Sequence, residues 1–156
     1  MKVRIVCVGK LREAYFKEAI AEYAKRISRW AKWEIVEVAE EPLEGNSKSA
    51  IAQTVAAESA RLAEKCRGYV IALDRTGEMW SSEQLAQRMQ NVTVGGCSEI
   101  TFLIGGSWGM DDSVLRLADA RLSFGKLTFP HTLMRVVLAE QIYRAFSILE
   151  GSGYHK

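Results

Sequence analysis

The chain has 156 residues, of which 48% are hydrophobic and two are prolines, and this indicates one globular domain with a packed core. Its 21 basic and 19 acidic side chains give a net charge of only +2, so any basic surface for a nucleic acid or an anionic membrane must come from local arrangement. No apolar segment approaches the ~20 residues of a membrane span, and three widely spaced cysteines favour free thiols and a cytoplasmic location.

The first half of the chain predicts two strands that alternate with two helices. A β-branched run over residues 2–8 is typical of a buried strand, and residues 12–30 place hydrophobic side chains at alternating four- and three-residue steps, as an amphipathic helix does. Residues 33–40 alternate like a half-buried strand. After a loop that contains Pro42, a second helix is predicted. Its expected core face consists of Ile51, Val55, Leu62 and Cys66.

The second half continues the same alternation. Two more strands are predicted over residues 68–74 and 99–106, and residues 120–129 predict a fifth strand that runs into a glycine-containing loop. Ser81 has capping-box spacing to Gln84 in the helix after the third strand, Asp111 or Asp112 caps a short helix after the fourth, and Pro130 opens a long last helix. Strands that alternate with helices predict an α/β fold, with a mostly parallel sheet covered by helices on both faces.

Glycine-rich segments follow the third, fourth and fifth predicted strands, and their sequences are ALDRTGE, IGGSWG and LSFGKLTFPH. In an open parallel sheet, ligands bind outside the carboxyl ends of the strands. Glycines at these ends predict exposed backbone N–H and C=O groups, flanked by apolar side chains such as Leu73, Ile104 and Leu127. Such a site suits a flat group with polar edges, such as adenine, and therefore a nucleoside cofactor held without essential phosphate contacts.

Two other classes of function remain open. Residues 105–109, GGSWG, match the nucleophile-elbow pattern G-x-S-x-G, and Asp119 and His131 follow in hydrolase order, so a small serine hydrolase with Ser107 as nucleophile is one alternative. A non-catalytic RNA-binding protein is the other. The patterns G-x-G-x-x-G and G-x-x-x-x-G-K-[ST] are absent. Two separated histidines and no paired cysteines offer no metal-ligand cluster, so no metal is expected.

Three segments carry a resemblance to a known family. FLIGGSWG, LSFGKLTFPHTLMRVVLAEQIYRAFSI and the terminal GYHK are similar to the small single-domain SPOUT methyltransferases, specifically those that methylate N3 of a pseudouridine in 23S rRNA. The resemblance implies one SPOUT domain over residues 1–156, in which roughly residues 68–156 form a C-terminal trefoil knot and the cofactor site. It also implies a homodimer that acts on rRNA in the large subunit or assembled ribosome.

The resemblance further implies roles for individual residues. It places S-adenosylmethionine (SAM) against Leu73, Gly105, Phe124, Gly125, Lys126, Leu127, Thr128 and Phe129. It also implies that the C-terminal tail crosses to the partner's cofactor. There His155 is the candidate base for the pseudouridine N3 proton, and Tyr154 is expected to orient the ring. His131 is the alternative base. Arg135, one turn from His131, is expected to contact phosphate or substrate, and Arg144 to be an ordinary surface or dimer-interface charge.

Overall fold

The computed structural model describes residues 1–156, in which five strands and five helices alternate. The strands are β1 (Lys2–Val8), β2 (Lys32–Val38), β3 (Tyr69–Met79), β4 (Glu99–Ile104) and β5 (Ala120–Ser123). The helices are α1 (Ala14–Ile27), α2 (Lys48–Lys65), α3 (Ser82–Val94), α4 (Asp112–Leu117) and α5 (His131–Glu150). The predicted alternation of strands and helices is confirmed.

All five strands belong to one sheet, in the order β2-β1-β4-β3-β5. Every neighbouring pair is parallel, so the predicted α/β fold with a mostly parallel sheet is confirmed and the sheet is parallel throughout. This order places the carboxyl ends of β1, β4 and β3 side by side. The turns that follow these strands therefore meet at one end of the sheet, where parallel α/β folds bind their ligands.

Helices cover both faces of the sheet. One face carries α1, α3 and α5 over a core of 18 buried residues that includes Ile5 and Phe102. The other carries α2 and α4 over nine buried residues that include Val6 and Leu103. Because both faces are covered, β1 and β4 are almost continuously apolar rather than alternating. None of the helices combines the length and the apolar character needed to cross a membrane.

The third strand is longer than predicted, and the fifth runs into a loop as predicted. β3 continues beyond Asp74 to Met79, because after an irregularity in its pairing Glu78 pairs again with Leu122 of β5. α3 consequently starts only at Ser82, with the predicted capping box in place. β5 ends at Ser123, and residues 124–130 form the predicted loop, which contains Gly125.

Helix α2 turns a partly polar face inward. Its buried residues are Thr54, Glu58, Ser59 and Leu62, whereas Ile51, Val55 and Cys66 of the predicted core face are only partly buried. The cause is the polar backbone on which this side of α2 packs. Thr54 Oγ1 donates to the Pro42 carbonyl at 3.3 Å, and Ser59 Oγ accepts the Asp111 N–H at 3.0 Å. α2 thus supports both the loop after β2 and the turn after β4.

Candidate active site

A cavity of about 580 Å³ lies at the carboxyl ends of β3, β4 and β5, and we call it the strand-end cavity. Three segments form its walls, namely residues 73–76, residues 104–110 and the loop that joins β5 to α5. Among its apolar side chains, Leu127 is 76% exposed. The cavity therefore presents both apolar side chains and glycine backbone to a ligand, as the sequence predicted for this end of the sheet.

Seven of the eight predicted cofactor residues lie in the walls of this cavity. They are Leu73, Gly105, Phe124, Gly125, Leu127, Thr128 and Phe129. Lys126 lies in the same loop but does not line the cavity. Two hydrogen bonds fix this loop, because Arg75 Nη1 donates to Thr128 Oγ1 at 2.7 Å and Ser123 Oγ accepts the Gly125 N–H at 3.1 Å. The loop is thereby held against β3 without regular secondary structure.

The turn after β4 requires glycine at Gly105 for its own closure. The Gly109 N–H donates to the Gly106 carbonyl at 3.0 Å, and Gly109 has a φ of +80°, which favours glycine. A Cβ on Gly105 would lie 2.9 Å from the Gly109 carbonyl. A side chain at Gly105 would therefore push the backbone at Gly105 away from that at Gly109, whether or not a ligand is bound. Asp111 ends the turn and caps α4, as predicted.

The residues of a hydrolase triad do not come together. Ser107 is exposed on the turn at the carboxyl end of the sheet, whereas Asp119 lies at the opposite end, where its Oδ2 accepts the Val70 N–H at 2.8 Å. In a triad, the acid must bond to the base that activates the nucleophile. His131 lines the cavity on the Ser107 side of the sheet. The serine hydrolase hypothesis is therefore wrong.

Arg135 is a buried structural residue. Its side chain is 1% exposed, Nη1 donates to Glu37 Oε2 at 2.7 Å, and Nη2 donates to the Val8 and Gly9 carbonyls at 2.9 and 2.8 Å. Burial tends to raise the pKa of Glu37, but the Leu11 N–H and the Arg135 guanidinium lower it overall. The prediction that Arg135 contacts phosphate or substrate is wrong, because the guanidinium is enclosed and bonded to the end of β1.

His131 lies at the start of α5 and lines both the strand-end cavity and a neighbouring acidic pocket. Burial and the Arg135 guanidinium lower the pKa of His131, although Glu40 and Glu13 act in the opposite direction. The imidazole is therefore neutral near pH 7 and able to accept a proton. Its position beside the cavity keeps it as the alternative base.

The C-terminal tail lies on α5 and at the start of α3, outside the strand-end cavity of its own chain. Tyr154 Oη donates to Glu140 Oε1 at 3.1 Å. The His155 ring lies 3.3 Å from Arg144 Nη1 through Nδ1 and 2.7 Å from Glu83 Oε1 through Nε2. The bond to His155 is the main reason that the pKa of Glu83 falls to about 2. Tyr154 and His155 are thus close to each other but not to the predicted cofactor residues of the same chain.

Glu140 and Arg144 form a group with Tyr154 and His155 that we call the tail cluster. From sequence, Arg144 was expected to be only a surface or dimer-interface charge, and Glu140 had no predicted role. Arg144 Nη2 donates to Glu140 Oε1 at 2.6 Å, and its guanidinium lies 4.8 Å from the centre of the Tyr154 ring. Burial and the Glu140 carboxylate raise the pKa of Tyr154, which keeps its hydroxyl protonated and able to donate. The four-residue spacing of Glu140 and Arg144 on a helix indicates the pair from sequence. Nothing in the sequence pattern indicates the return of the tail.

Comparison with known proteins identifies the family. A model described as a predicted SPOUT methyltransferase matches residues 1–155. The chain belongs to the SPOUT methyltransferase family. This membership makes the protein an enzyme and contradicts the alternative of a non-catalytic RNA-binding protein.

Curated relatives of this SPOUT methyltransferase match it from end to end. A Limosilactobacillus reuteri protein named ribosomal RNA large subunit methyltransferase H is 50% identical over 159 residues, which cover 100% of both chains. Proteins of the same name from Streptococcus uberis and Levilactobacillus brevis are 48% and 51% identical, again over 100% of both chains.

Two solved structures share the fold of this SPOUT chain at low sequence identity. A probable methylase family protein from Haemophilus influenzae gives a TM-score of 0.53 at 12% identity and covers 99% of this chain and 70% of its own. A putative methyltransferase from Legionella pneumophila, solved with bound SAM, gives 0.52 at 10% identity and covers 94% and 66%. These likenesses confirm the predicted α/β fold.

Proposed function

We propose that this protein is a SAM-dependent methyltransferase that methylates N3 of a pseudouridine in 23S rRNA, in the cytoplasm. The observation that carries the proposal is about 50% identity, over the full length of both chains, to proteins named ribosomal RNA large subunit methyltransferase H. The proposal extends to this chain the substrate class that those names state. The pseudouridine target follows from the family resemblance of the segments after β4 and β5.

The strand-end cavity fits the cofactor chemically. Leu73, Ile104 and Leu127 offer apolar contacts for an adenine ring, and the loop backbone offers N–H and C=O groups to its edges. A Cβ on Gly125 would meet no atom within 4 Å, so the backbone there is open to the cavity. Bound SAM supplies an electrophilic methyl group, and the site therefore needs no protein nucleophile. The task of the protein is to hold the acceptor nitrogen in line with that group.

The tail cluster supplies the groups that act on the acceptor base. The pseudouridine N3–H must lose its proton. We assign His155 as the base that accepts this proton and Tyr154 as the residue that orients His155. Arg144 adjoins both residues and offers a positive group to the negative charge that develops on the deprotonated ring. Glu140 bonds to both Tyr154 and Arg144 and so fixes their relative position.

A homodimer joins the two halves of this site. The tail lies outside the cavity of its own chain, so the catalytic residues and the cofactor meet only if the tail reaches the cavity of the partner subunit. Leu133, Val136 and Val137 are incompletely buried on α5 and provide an apolar surface against which a second α5 can pack. A two-fold dimer then contains two equivalent composite sites.

Roughly residues 68–156 form a trefoil knot around the cofactor in this proposal. In support, the chain leaves β5 at the edge of the sheet and returns through residues 124–130 to α5. Arg135 of that helix bonds to the Val8 and Gly9 carbonyls at the end of β1. The loop over residues 124–130 lines the strand-end cavity together with the segments that follow β3 and β4.

Methylation of ribosomes tests the proposed activity. Ribosomes from a strain that lacks this gene are incubated with the protein and SAM, and the 23S rRNA nucleosides are analysed by mass spectrometry. We expect one N3-methylpseudouridine per 23S rRNA. Free 23S rRNA and isolated large subunits serve as parallel substrates and identify the form that presents the base. Methylation of a different nucleoside, or none on any of the three substrates, would contradict the proposal.

Subunit complementation tests the composite site. Two variants are co-expressed with different tags, one lacking residues 152–156 and the other carrying Leu127→Asp in the cavity. Each is expected to be inactive alone. A mixed dimer keeps one intact cavity opposite one intact tail, so random pairing restores about a quarter of wild-type activity. Purified mixed dimers that remain inactive would show that cavity and tail act within one chain or not at all.

A further inference from the structure

A second pocket, of about 450 Å³, lies beside the strand-end cavity, towards the carboxyl ends of β1 and β2. Its titratable residues are Glu40, Glu41, Glu58 and His131, and we call it the acidic pocket. Four residues line both spaces, namely Gly106, Ser107, Trp108 and His131. The two spaces therefore adjoin along the turn after β4.

Glu58 is the most buried charged residue of the acidic pocket, with 4% of its surface exposed. Its Oε2 accepts the Glu41 N–H at 3.1 Å, but its Oε1 accepts no hydrogen bond from the protein. Oε1 instead lies against Gly106, where a Cβ would come within 2.8 Å of it. An oxygen that no protein donor reaches, on a side chain that is otherwise buried and lines the pocket, is free to accept a hydrogen bond from a ligand with N–H groups.

The charges around Glu58 select a cation as that ligand. Glu41 forms an ion pair with Arg61, whereas neither Glu40 nor Glu58 forms one. His131 adds no positive charge near pH 7, because burial and Arg135 lower its pKa. Burial, with help from the Glu40 and Glu41 carboxylates, raises the pKa of Glu58, although the Glu41 N–H and the Arg61 guanidinium act in the opposite direction. A positive group in the pocket would favour the charged carboxylate, whereas a phosphate group would be repelled.

We propose that the acidic pocket binds the α-ammonium group of the methionine part of SAM, with Glu58 Oε1 as its main acceptor. The inference rests on the proposed function, because it needs the adenosine part to occupy the strand-end cavity. This placement of the two parts of SAM in two different spaces matches their chemistry. Its adenosine is uncharged and suits the apolar space, while its amino-acid end carries the N–H donors that Glu58 lacks. The absence of a side chain at Gly106 lets Glu58 Oε1 lie against the turn that lines both spaces.

Two product-like ligands isolate this contact. S-adenosylhomocysteine and 5′-methylthioadenosine are both uncharged at sulfur, and only the first has the amino-acid end. In calorimetric titrations, we expect Glu58→Gln to raise the Kd of S-adenosylhomocysteine about tenfold or more and to leave the Kd of 5′-methylthioadenosine within about twofold. Glu40→Gln should raise the first Kd by a smaller factor. Glu64→Gln, an equal charge change at an exposed position of the same helix, should alter neither.

The remaining outcomes separate the failures of the two proposals. Unchanged binding of S-adenosylhomocysteine to Glu58→Gln would contradict the ammonium site, and so would equal weakening of both ligands, which indicates a structural role for Glu58. Weakened SAM with unchanged S-adenosylhomocysteine would mean that Glu58 responds to the sulfonium charge instead. If the wild-type protein bound none of the three ligands, the proposed function itself would fail.

Discussion

At the scale of single residues, Arg135 shows how a buried charge can hold a site in place without entering it. Its guanidinium bonds to Glu37 and to two carbonyls at the end of β1. Replacing it leaves those acceptors without their donor in a buried position. We expect Arg135→Met to lower the free energy of unfolding by about 3 kcal/mol in urea titrations.

The control for Arg135 is an exposed arginine that also forms an ion pair with a glutamate. Arg29 pairs with Glu150 while its side chain is 61% exposed, and pairs of this kind contribute at most about 1 kcal/mol. Arg29→Met should therefore have a small effect. Equal losses in the two variants would contradict the structural role that we give to Arg135.

His131 predicts a pH dependence of stability. Its pKa in the folded protein is lowered, so the unfolded chain binds the proton more readily. The resulting stabilisation is complete above about pH 6.5, the ordinary pKa of histidine, and is lost as the pH falls through the folded pKa. We expect the free energy of unfolding, measured by urea titration, to fall less between about pH 7 and pH 5 in His131→Gln than in the wild type. Identical losses would mean that the imidazole is solvated like an ordinary surface histidine.

At the scale of secondary-structure elements, the turn after β4 depends on glycine at its first position. The Cβ in Gly105→Ala would lie 2.9 Å from the Gly109 carbonyl, and such overpacking costs about 1–3 kcal/mol. We expect this variant to lose that much stability and to bind SAM more weakly, because the turn borders the strand-end cavity. Gly153→Ala is the stability control, since its Cβ would meet no atom within 4 Å. A fully stable Gly105→Ala would contradict the fit derived for the turn.

The elements could be predicted from sequence where one physical signal dominates. The apolar periodicity of α1, the capping box of α3 and the buried run of β4 each specify local structure, and all three are confirmed. Prediction failed where a contact with a neighbouring segment determines the structure. β3 extends to Met79 because β5 offers pairing partners, and α2 buries Glu58 because the adjoining backbone is polar. Hydrophobic periodicity contains no information about either neighbour.

At the scale of the whole molecule, glycines at strand ends and the rule for parallel sheets together predicted where the cavity lies. The strand ends also predicted Leu73, Ile104 and Leu127 as apolar neighbours of the site. The other wall residues came from the family resemblance, since no periodicity distinguishes Thr128 from Lys126. Arg135 was misplaced because helical spacing gives an angle around the axis and not the depth of the side chain. The strand order, and the tail that folds back on Glu140 and Arg144, depend on contacts between residues far apart in the chain.

The central claim is that the strand-end cavity binds SAM, and calorimetric titration of the purified protein tests it most directly. We expect saturable binding with one site per chain. Leu127→Ala should raise the Kd about tenfold, because an exposed leucine that covers the ligand is lost. Val94→Ala, which removes an equally exposed apolar side chain at the end of α3, should leave it unchanged. Absence of binding at millimolar SAM, or equal effects of the two variants, would contradict the assignment of the cavity.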